Sequence, residues 1–121
     1  MQLIKIREFD HWARAVGITD KMLKEAVAEI EKGLIDARLG GGLLKKRVAL
    51  SGKGKSGGSR TIMAYRKGEK AFFIYGFEKN AQSNIKPAEL KALKQYSKIL
   101  LSYDEKNLKK AFKDQVLVEI K

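Results

Sequence analysis

The chain has no cysteine. That excludes disulfides, thiolate metal sites and a cysteine nucleophile, and it fits a reducing compartment. His11 is the only histidine, with no evident partners for a catalytic triad, and a zinc site would depend almost wholly on carboxylates. No metal and no cofactor is expected. No apolar run approaches the ~18 residues that a membrane span needs. The segment from Met1 to Asp10 is mixed and charged, without the apolar stretch of a secretory signal. The expectation is a soluble, cytoplasmic protein with no membrane partner. Carboxylates are also scarce: 14 Asp and Glu stand against 26 Lys and Arg, for a net charge of +12.

What is present fits one domain over residues 1–121, with 44% hydrophobic residues to build a single core. The charge is unevenly spread. Residues 1–40 carry seven basic and seven acidic side chains, residues 41–70 nine and one, and residues 71–121 ten and six. Two thirds of the excess therefore sits in a quarter of the chain. Charge kept for solubility alone would be dispersed, whereas a concentrated basic stretch attracts polyanions, RNA foremost here.

The periodicity predicts the elements. Residues 2–6 alternate as a short strand. Phe9, Trp12, Ala13 and Val16 follow at helical spacing, and Gly17 ends that turn. Thr19 or Asp20 can cap a second helix, in which Met22, Leu23, Ala26, Val27, Ile30 and Leu34 form one stripe. Residues 40–42 and 52–58 are the flexible stretches. Between them Leu44, Lys46, Val48 and Leu50 alternate with Lys45, Arg47 and Ala49, the rhythm of a strand with one wetted face. A loop over 51–59 leads to a strand over 60–66. Residues 71–77 are continuously apolar, as in a central strand covered on both faces. Pro87 opens a third helix, and Ser102 with Glu105 matches a capping box for a fourth over 105–113. Val116, Val118 and Ile120 suit a last short strand. The pattern is an α+β domain: N-terminal helices on a small antiparallel sheet, with C-terminal helices.

The loop Gly52-Lys53-Gly54-Lys55-Ser56-Gly57 matches two nucleotide-binding signatures in letters but not in context. A phosphate loop needs a glycine at position 49, which is Ala49, and both signatures need a helix next, where 60–66 reads as strand. The loop still suits a polyanion. Glycines such as Gly54 let a ligand approach the backbone N–H groups. Lys53 and Lys55 add charge, Ser56 and Ser59 add hydroxyls, and Arg60 can fork onto a phosphate. Lys45 and Arg47 share one strand face, with Lys46 on the other. Lys79 and Asn80 emerge at the end of the central strand, and Phe77 beside them is the candidate to stack on an unpaired base. With neither cysteine nor a histidine relay, catalysis would fall to Lys and Arg. Clustered ammonium groups lower one another's pKa toward the range of a general base, and Arg stabilises an over-charged phosphorane. That combination suits metal-independent cleavage of RNA, whose own 2′-hydroxyl is the nucleophile.

Leu43-Leu44-Lys45-Lys46-Arg47-Val48-Ala49, the glycine loop through Gly58-Ser59-Arg60, Phe73-Ile74-Tyr75-Gly76-Phe77-Glu78-Lys79-Asn80 and Asn84-Ile85 together resemble the RelE/HigB branch of the RelE/ParE toxin superfamily. The resemblance implies the toxin of a bacterial toxin–antitoxin pair, an endoribonuclease that enters the ribosome and cleaves mRNA. It also implies a cognate antitoxin, often a helix-turn-helix DNA-binding protein. By position Arg60 matches the arginine that supports the cleaved phosphate, and Lys79 the lysine after the third strand. Either Lys53 and Lys55 or Lys45 and Arg47 match the remaining basic residues. Some relatives carry a late tyrosine, which residues 81–86 lack, so proton transfer would fall to Lys79 or Lys55. Two other readings compete: a non-catalytic nucleic-acid-binding module, and a ParE-like toxin of DNA gyrase.

Overall fold

The computed structural model describes residues 1–50, 54–82 and 84–121, with backbone only for 54–57. Strand β1 (Gln2–Ile6) leads directly into helix α1 (Arg7–Val16), which Gly17 ends in the left-handed conformation at φ 86°. Thr19 caps α2 (Asp20–Glu31), its hydroxyl accepting from the Met22 N–H at 3.2 Å. Because α2 stops at Glu31, Leu34 falls outside the expected stripe and is exposed.

Four strands then form an antiparallel meander: β2 (Ala37–Gly40), β3 (Leu43–Leu50), β4 (Gly54–Arg66) and β5 (Lys70–Glu78). Strand β2 was not legible in the sequence. Gly40, Gly41 and Gly42, all at positive φ, turn it back onto β3 rather than forming a loose connection. Strand β4 is also longer than expected. It takes in Gly54 to Ser59, which the sequence placed in a loop, by pairing with β3 from Leu50↔Gly54 onward.

Helix α3 (Pro87–Leu101) starts on its proline. Helix α4 (Glu105–Lys113) is capped by Asp104 and Asn107, each side chain accepting from the other's backbone N–H, and not by Ser102 and Glu105. Ser102 instead closes α3, donating to the Ile99 carbonyl at 2.6 Å. Strand β6 (Leu117–Ile120) completes the sheet in the order β2-β3-β4-β5-β1-β6. The sheet is mostly antiparallel. The exception is β1, which lies parallel to β5 and antiparallel to β6. A parallel pair needs a long connection, and α1, α2 and the meander supply it.

The two faces are covered by different helices. Row Lys46↔Thr61↔Gly76 faces α1 and α2, with Trp12 over Gly76. The Phe9 and Phe73 rings stack on that side at 5.4 Å. Each such ring taken from water stabilises the fold by roughly 1.5–3 kcal/mol. Leu43, Ala64 and Phe72 face α3, where Leu101 packs over Gly42. A network centred on the buried Lys5–Asp10 pair joins β1 to both N-terminal helices: Lys5 donates to Asp10 at 2.6 Å and to the more exposed Asp20 at 2.7 Å, and the exposed Arg14 reaches Asp10 at 3.1 Å.

Candidate nucleic-acid interface

Antiparallel pairing puts directly opposed residues on one face. Register Arg47↔Arg60↔Phe77 therefore makes one row across β3, β4 and β5, and Lys45↔Ile62↔Tyr75 makes the next. Both rows lie on the face that α3 partly covers, since Tyr75 and Leu93 of α3 line the same cleft. The sequence-predicted Lys45, Arg47 and Arg60 are thus brought together.

Like charges directly opposite repel. Here Asp36, just before β2, offsets that repulsion. Its Oδ2 is 3.0 Å from Nε of Arg47 and 3.7 Å from Nε of Arg60. The Arg47 side chain is 48% exposed and that of Arg60 only 7%, so Arg47 is the outer member. Arg60 also donates from Nη1 to its neighbour's carbonyl at Ser59, 3.4 Å away.

The remaining predicted residues divide. Lys46 turns to the other face, where its buried ammonium meets Glu29 at 2.7 Å and the Leu34 carbonyl at 2.9 Å. Ser59 is fully buried on that side and donates to the Val48 carbonyl at 2.9 Å. Phe77 is on the basic face but buried, 6.1 Å from Tyr75. Lys79 and Asn80 are exposed in the turn after β5, and the Lys79 backbone N–H donates to the Gly58 carbonyl at 3.1 Å, holding that turn beside the glycine segment. Gly54 heads β4 opposite Leu50. Lys53, and the side chains of Lys55 and Ser56, lie outside the described residues.

Two participants escaped sequence reasoning. Asp36 left a usable signal, being the sole carboxylate between Glu31 and Glu69. Tyr75 left none, because its strand reads as uniformly buried. Its ring is half-buried on the basic face, and its hydroxyl donates to Gln82 at 3.1 Å. Burial first, then the charge of Glu89, raises its pKa above 10.0, so the phenol stays protonated at neutral pH.

A cleft of about 500 Å³ lies elsewhere. It lies between α1 and β6, lined by Arg7, His11, Phe112 and Gln115, at the far edge of the sheet from β3. Volume alone does not make it the site: single-stranded RNA is met by concentrated positive charge, and the described basic residues of 41–70 lie elsewhere. Among the described residues no cluster of His, Cys, Asp and Glu has the makings of a metal site, and no helix is long and apolar enough to cross a membrane.

A family model described as the RelE toxin of the RelE/RelB toxin–antitoxin system matches residues 1–120. No curated protein matches the chain.

Proposed function

We propose, from the premise that the chain belongs to the RelE toxin family of RelE/RelB toxin–antitoxin systems, that it is an endoribonuclease cleaving mRNA on the ribosome without a metal ion. Residues 1–121 act as one toxin domain in the cytoplasm, held in check by a cognate antitoxin.

The observation that carries this reading is the convergence of Arg47 and Arg60 on a single carboxylate oxygen. Two guanidiniums that already share one anionic oxygen are disposed to share those of a phosphate. In the proposed reaction the ribose 2′-oxygen attacks the adjacent phosphorus while the bond to the 5′-oxygen breaks. One proton leaves the 2′-hydroxyl and one arrives on the departing oxygen. Arg60 stabilises the charge that builds on the phosphorane, in a setting where burial has already excluded most water. Arg47 and Lys45 meet the backbone phosphates, and Lys79 or Lys55 carries the proton. Tyr75, which keeps exposed ring surface, is better disposed than Phe77 to meet a base.

The test is primer extension on a reporter mRNA in a purified translation system, with wild type and Arg60→Ala side by side. New 5′ ends that require both ribosomes and Arg60 are expected. Intact mRNA with the wild type would remove the endonuclease reading and leave a docking surface.

A further inference from the structure

Asp36 is the single acidic residue in a long basic stretch, and it sits on both arginines of the site. Its place is fixed by backbone pairing, because its N–H donates to the Lys45 carbonyl at 3.1 Å. Its side chain is 15% exposed, sheltered beside the more accessible Arg47. It accepts a hydrogen bond from Nε of Arg47 at 3.0 Å and makes an ionic contact with Nε of Arg60 at 3.7 Å. A guanidinium has five N–H donors in a rigid plane, and Nε is only one of them. For Arg47 this hydrogen bond sets the plane without using the paired terminal edge that forks onto phosphate, whereas Arg60 is held by the 3.7 Å ionic contact together with the bond from its Nη1 to the Ser59 carbonyl.

We infer that Asp36 is a positioning residue: it holds Arg47 and Arg60 in the orientation that receives a phosphate, and its negative charge weakens their hold on RNA in the ground state. The catalytic half of this inference rests on the proposed RNA cleavage; the binding half needs only a polyanion. Two effects compete. Oriented guanidiniums favour the transition state, whereas the carboxylate's charge opposes a phosphorane more than a phosphate. A sheltered carboxylate in contact with both guanidiniums makes orientation the larger effect, because small misplacements in a positioned site are costly.

The experiment compares full-length wild type, Asp36→Asn and Asp36→Glu, each checked for folding by circular dichroism. Binding of a fluorescein-labelled single-stranded RNA is followed across a salt series, and mRNA cleavage on programmed ribosomes is measured at limiting and saturating ribosome. Asp36→Asn should bind RNA several-fold tighter at low salt, with a salt slope steeper by roughly 0.7, as for one more phosphate neutralised on a single strand. Its maximal cleavage rate should fall about tenfold while half-saturation shifts to lower ribosome concentration, a split that simple loss of fold does not produce. Asp36→Glu, which keeps the charge and displaces it, should retain the wild-type slope and an intermediate rate.

A maximal rate in Asp36→Asn equal to or above the wild type would overturn the inference, and so would an unchanged salt slope. Should Asp36→Asn fail to fold, Asp36→Glu decides: a changed slope or an undiminished rate counts against the role. If wild type leaves ribosome-bound mRNA intact, the cleavage reading falls. The salt slope of Asp36→Asn then decides the binding half alone: steeper upholds it and unchanged sinks it.

Discussion

Lys46 of β3 and Glu29 of α2 form an ion pair of 2.7 Å, with the lysine side chain only 5% exposed. Its sequence neighbours Lys45 and Arg47 face the other way, so one basic run is divided between the interior and the surface. Removing one member of a buried pair leaves the other uncompensated. Glu29 keeps a third of its side chain in water, which moderates the loss. Lys46→Met is therefore expected to lower stability by about 2 kcal/mol in urea unfolding and to leave the salt dependence of RNA binding unchanged. A stable Lys46→Met variant with weakened binding would place Lys46 in the interface instead.

Lys45 should behave in the opposite way. It is half-buried on the Arg47 face and, among the described residues, pairs with no carboxylate. Lys45→Ala should make the salt slope of single-stranded RNA binding shallower by roughly 0.7 while stability stays within about 0.5 kcal/mol of wild type. An unchanged slope would show that RNA does not cross this row.

Gly76 is required by Trp12. A Cβ at position 76 would stand 2.1 Å from one ring carbon of Trp12 and 2.5 Å from two others. The indole must move for any side chain to fit. Overpacking of this kind costs about 1–3 kcal/mol, so Gly76→Ala should melt several degrees lower. Trp12 is the only tryptophan, so its fluorescence should report the displacement directly. The double variant Trp12→Leu/Gly76→Ala should lose less than the sum of the single changes; strict additivity would mean the contact is not the cause.

The Lys5 network sets the pH range of stability. Burial alone would raise the Asp10 carboxyl, but the hydrogen bond and charge of Lys5, then of Arg14, hold it below its ordinary 3.8. A carboxyl depressed on folding adds stability above its unfolded value and loses it as pH falls through the folded value. For Lys5, burial opposes the charge, yet its bonds to Asp10 and Asp20 raise its pKa above 10.5. Its contribution is complete below 10.5 and is lost as pH rises through the folded value. Urea midpoints should therefore drop below about pH 4 and again at strongly alkaline pH. Asp10→Asn should be less stable at neutral pH with a flatter acid limb. An acid limb as steep as the wild type's would assign the acid loss to other carboxylates.

Much of the fold could be read from the chain because it rests on local rules. Ala26, Val27 and Ile30 recur at helical spacing and α2 forms there; Pro87 opens α3; the unbroken run from Ala71 to Phe77 becomes a strand flanked by β4 and β1. Ends were harder, because several side chains can cap one helix. Asp104 wins over Ser102 because Asn107 answers it from the first turn of α4, while Ser102 closes the helix before it.

Local pattern along the chain set most element types, β2 and the first half of β4 excepted, together with the concentration of positive charge between residues 41 and 70 and the basic, glycine-rich run on which the family resemblance rests. Backbone periodicity and net charge are properties of neighbours along the chain. Which lysine is buried, which aromatic keeps exposed surface and which carboxylate governs the arginines were decided only by tertiary structure. Both faces of β3 receive a helix, so its alternation could not say which face would stay accessible. Asp36 meets Arg60 only because β2 folds back onto β3 and β3 pairs in register with β4, and that encounter depends on long-range pairing that no local pattern encodes.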